Sequence, residues 1–200
     1  DPERSAVVCA GRSLSFAELD ARSSQWARLL TERGVGRETV VASCVPRSVD
    51  SVVLLLAIMR AGGIWQPLDP AYPDERIGRL LRDSGASLVL CPGKEGDRFD
   101  IPVLAVDAPD TASLLARAAA EPAGPCGADA GAYIIHTSGS TGPPKGVLVS
   151  HAGITGLAQE YAVYGIAPGS IVMQFASHSF DGALWEMGAC LLAGATMLMA

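Results

Sequence analysis

Short apolar segments alternate with helix-like segments along most of the 200-residue sequence. The apolar segments have the length and the Val, Ile and Leu content of buried strands, and the segments between them carry apolar residues at helical spacing. The predicted strands lie at 6–9, 40–45, 64–68, 88–91, 103–106, 132–137, 147–149, 171–175 and at the C-terminal end. The predicted helices lie at 15–33, 48–61, 73–84, 112–120 and 181–192, with another beginning near 151. This alternation predicts a layered α/β fold with largely parallel sheets.

Local signals mark several helix boundaries. Ser15 stands three residues before Glu18, which is the spacing of a capping box, where hydroxyl and carboxylate each accept a backbone amide at the start of a helix. Gly34 and Gly85 each follow a helix-like segment and are predicted to end it. Pro73 is predicted to occupy the first position of the helix that Gly85 ends.

Residues 121–131 are the strongest candidate for a junction, because they are rich in proline and glycine and show no periodicity. We therefore predict a first α/β subdomain at 1–120, a junction at 121–131 and a second α/β subdomain at 132–200. The chain begins at Asp1 without an initiator methionine, and it ends at Ala200 in an apolar segment that no Gly, Pro or Asn closes. We therefore expect it to be part of a longer protein.

Charge and composition exclude several classes of function. The net charge of −6 provides no basic face for nucleic acid or an anionic membrane. The longest apolar run, residues 52–59, is too short to span a bilayer, and the N-terminus does not resemble a signal peptide. The five cysteines are widely spaced and the histidines number only three. This pattern predicts reduced thiols in the cytoplasm, with neither a disulfide framework nor a zinc site.

The segment at 137–146 carries the clearest chemical signal. Its glycines allow several backbone amides to converge on an anion, its hydroxyl side chains add donors, and Lys145 adds a mobile positive charge. It is not a Walker loop, because the fifth residue after Gly139 is Pro144 and Lys145 is followed by Gly146. A flexible Ser/Gly linker is the alternative, but a buried strand precedes the segment and Pro-Pro-Lys-Gly completes it. We therefore predict a loop that binds a polyphosphate.

This segment resembles the signature loop of the adenylate-forming superfamily, Thr-Ser-Gly-Ser/Thr-Thr-Gly-x-Pro-Lys-Gly. The resemblance implies the large N-terminal domain of that fold, with ATP and Mg²⁺ as cofactors and Lys145 in a catalytic role. The residues that it assigns to nucleotide binding are Thr137, Ser138, Gly139, Ser140, Thr141, Gly142, Lys145 and Gly146. Many members carry Tyr before the Thr, where this chain has His136.

Two further segments point to one branch of the superfamily. Residues 14–19 resemble the Leu-Thr/Ser-Tyr-x-Glu-Leu motif that opens the adenylation domains of nonribosomal peptide synthetases. Residues 59–69 resemble their second motif, with Arg60, Ile64 and Trp65 as conservative departures. Both segments are also explained by structural roles alone, namely a helix cap, a helix end and a strand. Their value is in placing the chain within the superfamily.

The segment at 180–186 resembles the Phe-Asp-x-x-Val-Trp-Glu segment of the same domains, and it implies contact with an amino-acid substrate. In that family the Asp contacts the substrate α-ammonium group, a role that falls on Asp181. Trp185 lies four positions on and would share a helix face with it. The amino-acid site is thus assigned to Phe180, Asp181, Gly182 and Trp185. The plainer alternatives are a helix N-cap for Asp181, a core position for Trp185, and either an aromatic gate or an incidental loop residue for His178.

By this resemblance the chain takes part in activating an amino acid with ATP, forming an aminoacyl adenylate and releasing pyrophosphate. The aminoacyl group would then pass to phosphopantetheine on a separate carrier domain, with peptidyl carrier and condensation domains as partners. The adenine, ribose and C-terminal lysine segments of the family are not found in these residues, so we expect the chain alone to be inactive. The alternatives are an acyl- or aryl-CoA ligase and a non-catalytic scaffold. Two pocket positions, Gly182 and Trp185, are too few to select one amino acid.

Overall fold

The structure, a computed structural model, describes residues 1–118, 126–137 and 144–200, without the side chains of residues 158 and 159. Its strands are β1 Ser5–Cys9, β2 Arg12–Ser15, β3 Val40–Ser43, β4 Ile64–Pro67, β5 Leu88–Cys91, β6 Val103–Ala105, β7 Gly131–Thr137, β8 Lys145–Ser150, β9 Ile171–Gln174 and β10 Thr196–Met199. Its α-helices are α1 Phe16–Glu32, α2 Val49–Arg60, α3 Asp74–Ser84, α4 Pro109–Arg117, α5 His151–Val163 and α6 Asp181–Ala193. A short 3₁₀ helix covers Gly93–Arg98.

The strands form two sheets. One has the order β6-β5-β3-β4-β7-β8 and is parallel except for β8, which runs antiparallel to β7. The other has the order β2-β1-β10-β9 and is parallel except for β2. The predicted α/β class with largely parallel sheets is confirmed. The division at 121–131 stays a prediction, and both sheets contain strands from each side of it.

The helix boundaries follow the local signals closely. The capping box at the start of α1 is confirmed: the Ser15 hydroxyl accepts the Glu18 amide at 3.1 Å, and the Glu18 carboxylate accepts the Ser15 amide at 2.8 Å. Gly85 ends α3 in the left-handed conformation, with φ 66°. Pro73 is the N-cap of α3 and not its first helical residue. The fourth helix starts at Pro109, earlier than the apolar spacing indicates, because proline is preorganised for the first helical turn.

Replacing Ser15 with alanine is expected to lower the free energy of unfolding by about 1 kcal/mol, because the Glu18 amide at the start of α1 loses its hydroxyl acceptor. Urea denaturation of the 200-residue chain measures this. Ser13→Ala is the matched control, since Ser13 is exposed on β2 just before the cap. Equal losses in the two variants would contradict a capping role.

The core forms where α1 and α2 pack against the sheets. The large side chains of Leu30, Leu54, Ile58 and Trp65 are fully buried, and β3, β4 and β5 are buried along their whole length. Such strands need helices on both faces, and the sheet is held rigidly as a result. The loops that follow the strands therefore start from fixed points.

Three of the five cysteines are buried packing residues. All five are free, and Cys44, Cys91 and Cys190 are buried. Burial raises the pKa of Cys44 and Cys190 to about 12 and that of Cys91 to about 11. Since the thiolate is the reactive form, these three thiols are unreactive at neutral pH. No helix in the described part of the chain has both the length and the apolar character needed to cross a bilayer.

Candidate active site

The β7–β8 hairpin brings the two ends of the predicted phosphate loop together. Thr137 is paired with Lys145 and His136 with Gly146 across the hairpin. Thr137 and Lys145 are both exposed, so a hydroxyl and an ammonium group lie side by side where the strands end. The predicted loop residues Ser138, Gly139, Ser140, Thr141 and Gly142 lie outside the described residues, and their role stays a prediction.

A carboxylate from a third element lies behind this hairpin end. The Asp83 Oδ2 of α3 is 2.9 Å from His136 Nε2, and it accepts the Gly146 amide at 3.3 Å. Sequence reasoning treated His136 only as a substitution and did not single out Asp83. The two residues are 53 positions apart, and nothing in the local pattern of either one indicates the pairing.

Helix α6 presents the predicted amino-acid contact at its first residue. Phe180 is the N-cap and is 61% exposed, and no side-chain cap hydrogen bond is made there. Asp181 follows in the first turn and is exposed. The N-cap alternative for Asp181 is therefore wrong, because Phe180 holds that position. A carboxylate in the first turn is still favoured by the helix dipole, and it remains accessible to a cation.

The start of α6 is electrostatically connected to β7. Burial, and then the negative charge of Asp181, raise the pKa of Tyr133. Tyr133 lies on β7, the strand that ends at Thr137. The carboxylate that the sequence assigns to the substrate amine thus acts on the same strand that leads into the predicted phosphate loop.

Trp185 packs against α5. Its ring meets the rings of Tyr161 and Tyr164 edge-to-face, each with centroids 5.6 Å apart. Tyr161 is 1% exposed, and burial is the main cause that raises its pKa to about 12. Gly188 makes room for it, because a Cβ there would lie 2.6 Å from the Tyr161 hydroxyl oxygen. Trp185 is half-buried and has a packing role, and its predicted place in a side-chain pocket stays a prediction.

Glu186 holds the loop that leads into α6. Its Oε2 accepts the backbone amides of Phe175 and Ala176 and the side-chain amide of Gln174, each at 3.0 Å. Gln174 is fully buried at the end of β9. Sequence reasoning included Glu186 in the motif but assigned it no role. The available signal was a carboxylate in the middle of an otherwise apolar stretch of the helix, which in a partly buried setting needs hydrogen-bond donors.

A cavity of about 290 Å³ lies beside this loop. It is lined by residues 45–47, 68–71 and 177–179, which follow the carboxyl ends of β3, β4 and β9. Loops in this position form the usual ligand crevice of parallel α/β sheets. His178 lies at the cavity wall and meets Trp65 edge-to-face, with centroids 6.3 Å apart. Burial first, and then the charge of Arg47, lower the pKa of His178 to about 4, while Asp69 opposes the shift.

His178 is expected to make stability pH-dependent. Its folded-state pKa of about 4 lies below the unfolded value of about 6.5, so a falling pH protonates the unfolded chain first and favours unfolding between these two values. From pH 6.5 to pH 5.5 His178 alone should remove about 1 kcal/mol of stability. Urea denaturation of the wild-type chain and of His178→Gln at both pH values isolates this effect. His151, whose pKa burial also lowers, contributes equally to both chains. Parallel pH dependences would contradict the prediction.

Comparisons with known proteins show which family the chain resembles in sequence and in structure. A model of the AMP-binding enzyme family matches residues 1–200. The chain is 40% identical to tyrocidine synthase 2 of Brevibacillus parabrevis over 98% of its own length, which is 6% of that protein. The AMPPNP-bound structure of FmoA3, a nonribosomal peptide synthetase, matches with a TM-score of 0.87 and 30% identity, over 99% of this chain and 21% of FmoA3. VinN in complex with L-aspartate matches with a TM-score of 0.91 and 26% identity, over 100% of this chain and 54% of VinN.

The similarity extends through both sheets and through the segments that carry Thr137, Lys145 and Asp181, because each comparison covers nearly all of the chain. Tyrocidine synthase 2 is far longer, and the chain spans only a small part of it. With its family model matched from the first residue to the last, the chain belongs to the AMP-binding enzyme family.

Proposed function

We propose that this chain, within its natural protein, activates an α-amino acid with ATP to form an aminoacyl adenylate. The observation that carries the proposal is that Thr137 and Lys145 are exposed opposite each other at the hairpin end, while the Asp181 carboxylate is exposed in the first turn of α6. A group suited to an ammonium ion and groups suited to a phosphate chain are thus both accessible, the first on α6 and the others on the β7–β8 hairpin. The similarity to a protein solved with AMPPNP and to another solved with L-aspartate supports the pairing.

Lys145 and Thr137 would contact the nucleotide. In the proposed reaction an oxygen of the amino-acid carboxylate bonds to the α-phosphorus of ATP, and the bond from that phosphorus to the pyrophosphate oxygen breaks. Negative charge builds up on the departing pyrophosphate, and the Lys145 ammonium offsets it at low cost because the hairpin already holds it in place. The predicted loop residues Ser138, Gly139, Ser140, Thr141 and Gly142 would add backbone and hydroxyl donors. Gly146, also predicted to bind the nucleotide, already donates its amide to Asp83 and would shape the hairpin end instead.

Mg²⁺ would enter with the nucleotide. Within residues 1–118, 126–137 and 144–200 no group of three or more His, Cys, Asp and Glu side chains is arranged to hold a metal ion. An ion bound mainly through phosphate oxygens and water fits these residues, as is common for Mg²⁺ beside a triphosphate. When bound, it would neutralise phosphate charge in the same place as Lys145.

Asp181 would hold the part of the substrate that all α-amino acids share. A carboxylate that accepts from an ammonium group contributes about 1.5–3 kcal/mol. Phe180, Gly182 and Trp185 would surround the substrate nearby. At Gly182 a Cβ would lie 2.9 Å from the Phe180 ring, so a larger residue there would displace the ring.

The aminoacyl group would then pass to the phosphopantetheine thiol of a peptidyl carrier domain, and a condensation domain would be the other neighbour. This part of the proposal rests on the similarity to tyrocidine synthase 2, of which the chain spans 6%. We also propose that the 200 residues alone do not complete the reaction, because the adenine, ribose and C-terminal lysine segments of the family are not among them.

Amino-acid-dependent ATP–pyrophosphate exchange by the natural protein that contains this chain tests the proposal. The panel should hold the twenty protein amino acids, each paired with its deamino analogue. We expect exchange with one or a few amino acids and little with the matched analogues. Preferred use of the deamino acids would favour an acyl- or aryl-CoA ligase. Absence of exchange with every acid would favour a scaffold without turnover.

A further inference from the structure

Asp83 joins the two strands that enter and leave residues 138–143. His136 on β7 and Gly146 on β8 are directly paired across the hairpin. One oxygen of Asp83 lies 2.9 Å from His136 Nε2 and 3.3 Å from the Gly146 amide. Because a carboxylate oxygen only accepts, the His136 Nε2 carries the proton in this contact. A single atom of α3 therefore links both arms of the hairpin, one residue behind Thr137 and Lys145.

The hairpin needs support from outside at this point. β8 is the edge strand of its sheet, pairs only with β7, and is exposed over most of its length. The His136 side chain, in contrast, is only 8% exposed beneath α3. In the described part of the chain, the Asp83 carboxylate thus ties the start of β8 to an element outside the hairpin through a hydrogen bond.

Asp83 itself is held by a rigid element. The next residue, Ser84, donates its hydroxyl to Gln66 Oε1 at 2.8 Å, and Gln66 Nε2 donates to the Leu80 carbonyl at 3.1 Å. Gln66 is fully buried on β4, beside β7 in the sheet. The last turn of α3 is thus attached to the centre of the sheet, and Asp83 has a fixed position from which to hold the hairpin.

Gly146 makes the contact possible. A Cβ at this position would lie 3.2 Å from His136 Nε2 and 3.3 Å from Asp83 Oδ2. It would also lie 3.2 Å from the Ile134 side chain on β7. These distances are tighter than most Cβ contacts in proteins, so a side chain at 146 would require the neighbouring groups to shift by a small amount. The glycine therefore allows Asp83 and His136 to approach closely, independently of any contact with a bound phosphate.

We propose that Asp83 is a positioning residue for nucleotide binding. By accepting from His136 and Gly146 at once, it holds Thr137 and Lys145 at a set separation and direction before ATP arrives. The inference rests on the proposed function, since it concerns the same phosphate site. Its physical basis is preorganisation: groups that are already placed lose less entropy on binding and interact more strongly with the ligand.

The test uses the natural full-length protein with Asp83→Ala and Asp83→Asn. We expect Asp83→Ala to raise the KM for ATP about tenfold, because Thr137 and Lys145 would then have to be ordered as ATP binds. The KM for the amino acid should change less than about twofold, because that site does not contact Asp83. Asp83→Asn keeps one oxygen acceptor and should fall between wild type and Asp83→Ala. Asp110→Ala, which removes an exposed carboxylate on α4, is the matched control.

Variants at the partner residue separate positioning from general stability. His136→Gln keeps an N–H donor and should stay close to wild type, whereas His136→Leu should match Asp83→Ala. The double variant Asp83→Ala/His136→Leu should be no weaker than either single variant, because both remove the same contact. Equal rises in the KM values for ATP and for the amino acid, or values equal to the Asp110→Ala control, would overturn the proposal.

Calorimetric titration of ATP keeps the two proposals distinct. If the wild-type protein shows no exchange but binds ATP, the proposed reaction fails, and the Asp83 variants are still expected to bind ATP about tenfold more weakly. Unchanged ATP affinity in those variants overturns the role of Asp83 alone. A wild-type protein that neither exchanges nor binds ATP overturns both.

Discussion

Replacing Lys145 with alanine in the natural protein is expected to slow amino-acid-dependent ATP–pyrophosphate exchange about 100- to 1000-fold, the usual cost of removing one preorganised group that stabilises transition-state charge. Lys145 begins β8, is exposed, and lies opposite Thr137 at the hairpin end. Its ammonium can therefore reach a phosphate chain without a change in the sheet. Because the charge on the leaving pyrophosphate is larger in the transition state than in bound ATP, most of the loss should appear in kcat.

The chain offers a matched control for this variant. Lys94 is its only other lysine and is exposed on the 3₁₀ helix. Lys94→Ala should leave the exchange rate within about twofold of wild type, as surface substitutions away from a site usually do. Lys145→Arg keeps the charge but not its shape and should be intermediate. Wild-type exchange in Lys145→Ala would remove this residue from the proposed mechanism.

Replacing Asp181 with alanine is expected to lower kcat/KM for the preferred amino acid about 10- to 100-fold, because a charge-assisted hydrogen bond of about 1.5–3 kcal/mol is lost. The matched deamino analogue has no ammonium group and should be used as well by the variant as by the wild type. The variant thus loses discrimination between the pair. Asp181→Asn keeps the shape of the side chain and isolates the charge.

Two measurements test whether Asp181 acts on the substrate amine and not on the fold. The free energy of unfolding of the 200-residue chain should change by less than about 1 kcal/mol, because Asp181 is exposed and Phe180 holds the N-cap. The KM for ATP should stay close to the wild-type value, in contrast to the Asp83 variants. Equal losses with the amino acid and with its deamino analogue would mean that Asp181 acts on the fold of α6 and not on the substrate amine.

The boundaries of most elements could be predicted because their causes are local. The Ser15 cap and the Gly85 helix end act within a few residues of the chain and leave signals there. β2 was missed, since its residues are mostly polar and exposed and only Leu14 is buried. It is a strand because it pairs with β1, which is a property of the neighbouring strand and not of its own sequence.

Some features of the candidate site could likewise be predicted from local sequence, and others could not. The two motif segments were identified from their residues, and the structure places Thr137 opposite Lys145 at the hairpin end and Asp181 in the first turn of α6. Glu186 was visible in the motif, but its role depends on amides from β9 and the following loop. No sequence pattern indicated a role for Asp83. Its partner His136 is on another element, and the last turn of α3 shows only an ordinary helix end.

The sequence by itself determined the α/β alternation, the helix caps and the residue types that suit phosphate and amine, because periodicity, capping and side-chain chemistry act over short stretches. Only the tertiary structure decided the strand orders of the two sheets and the antiparallel pairing of β8 with β7. It also decided the contact of Trp185 with α5 and the hydrogen bonds of Asp83 with His136 and Gly146. These features join residues that are distant in the chain, and their energies arise from packing and hydrogen bonding that exist only once the sheets have formed.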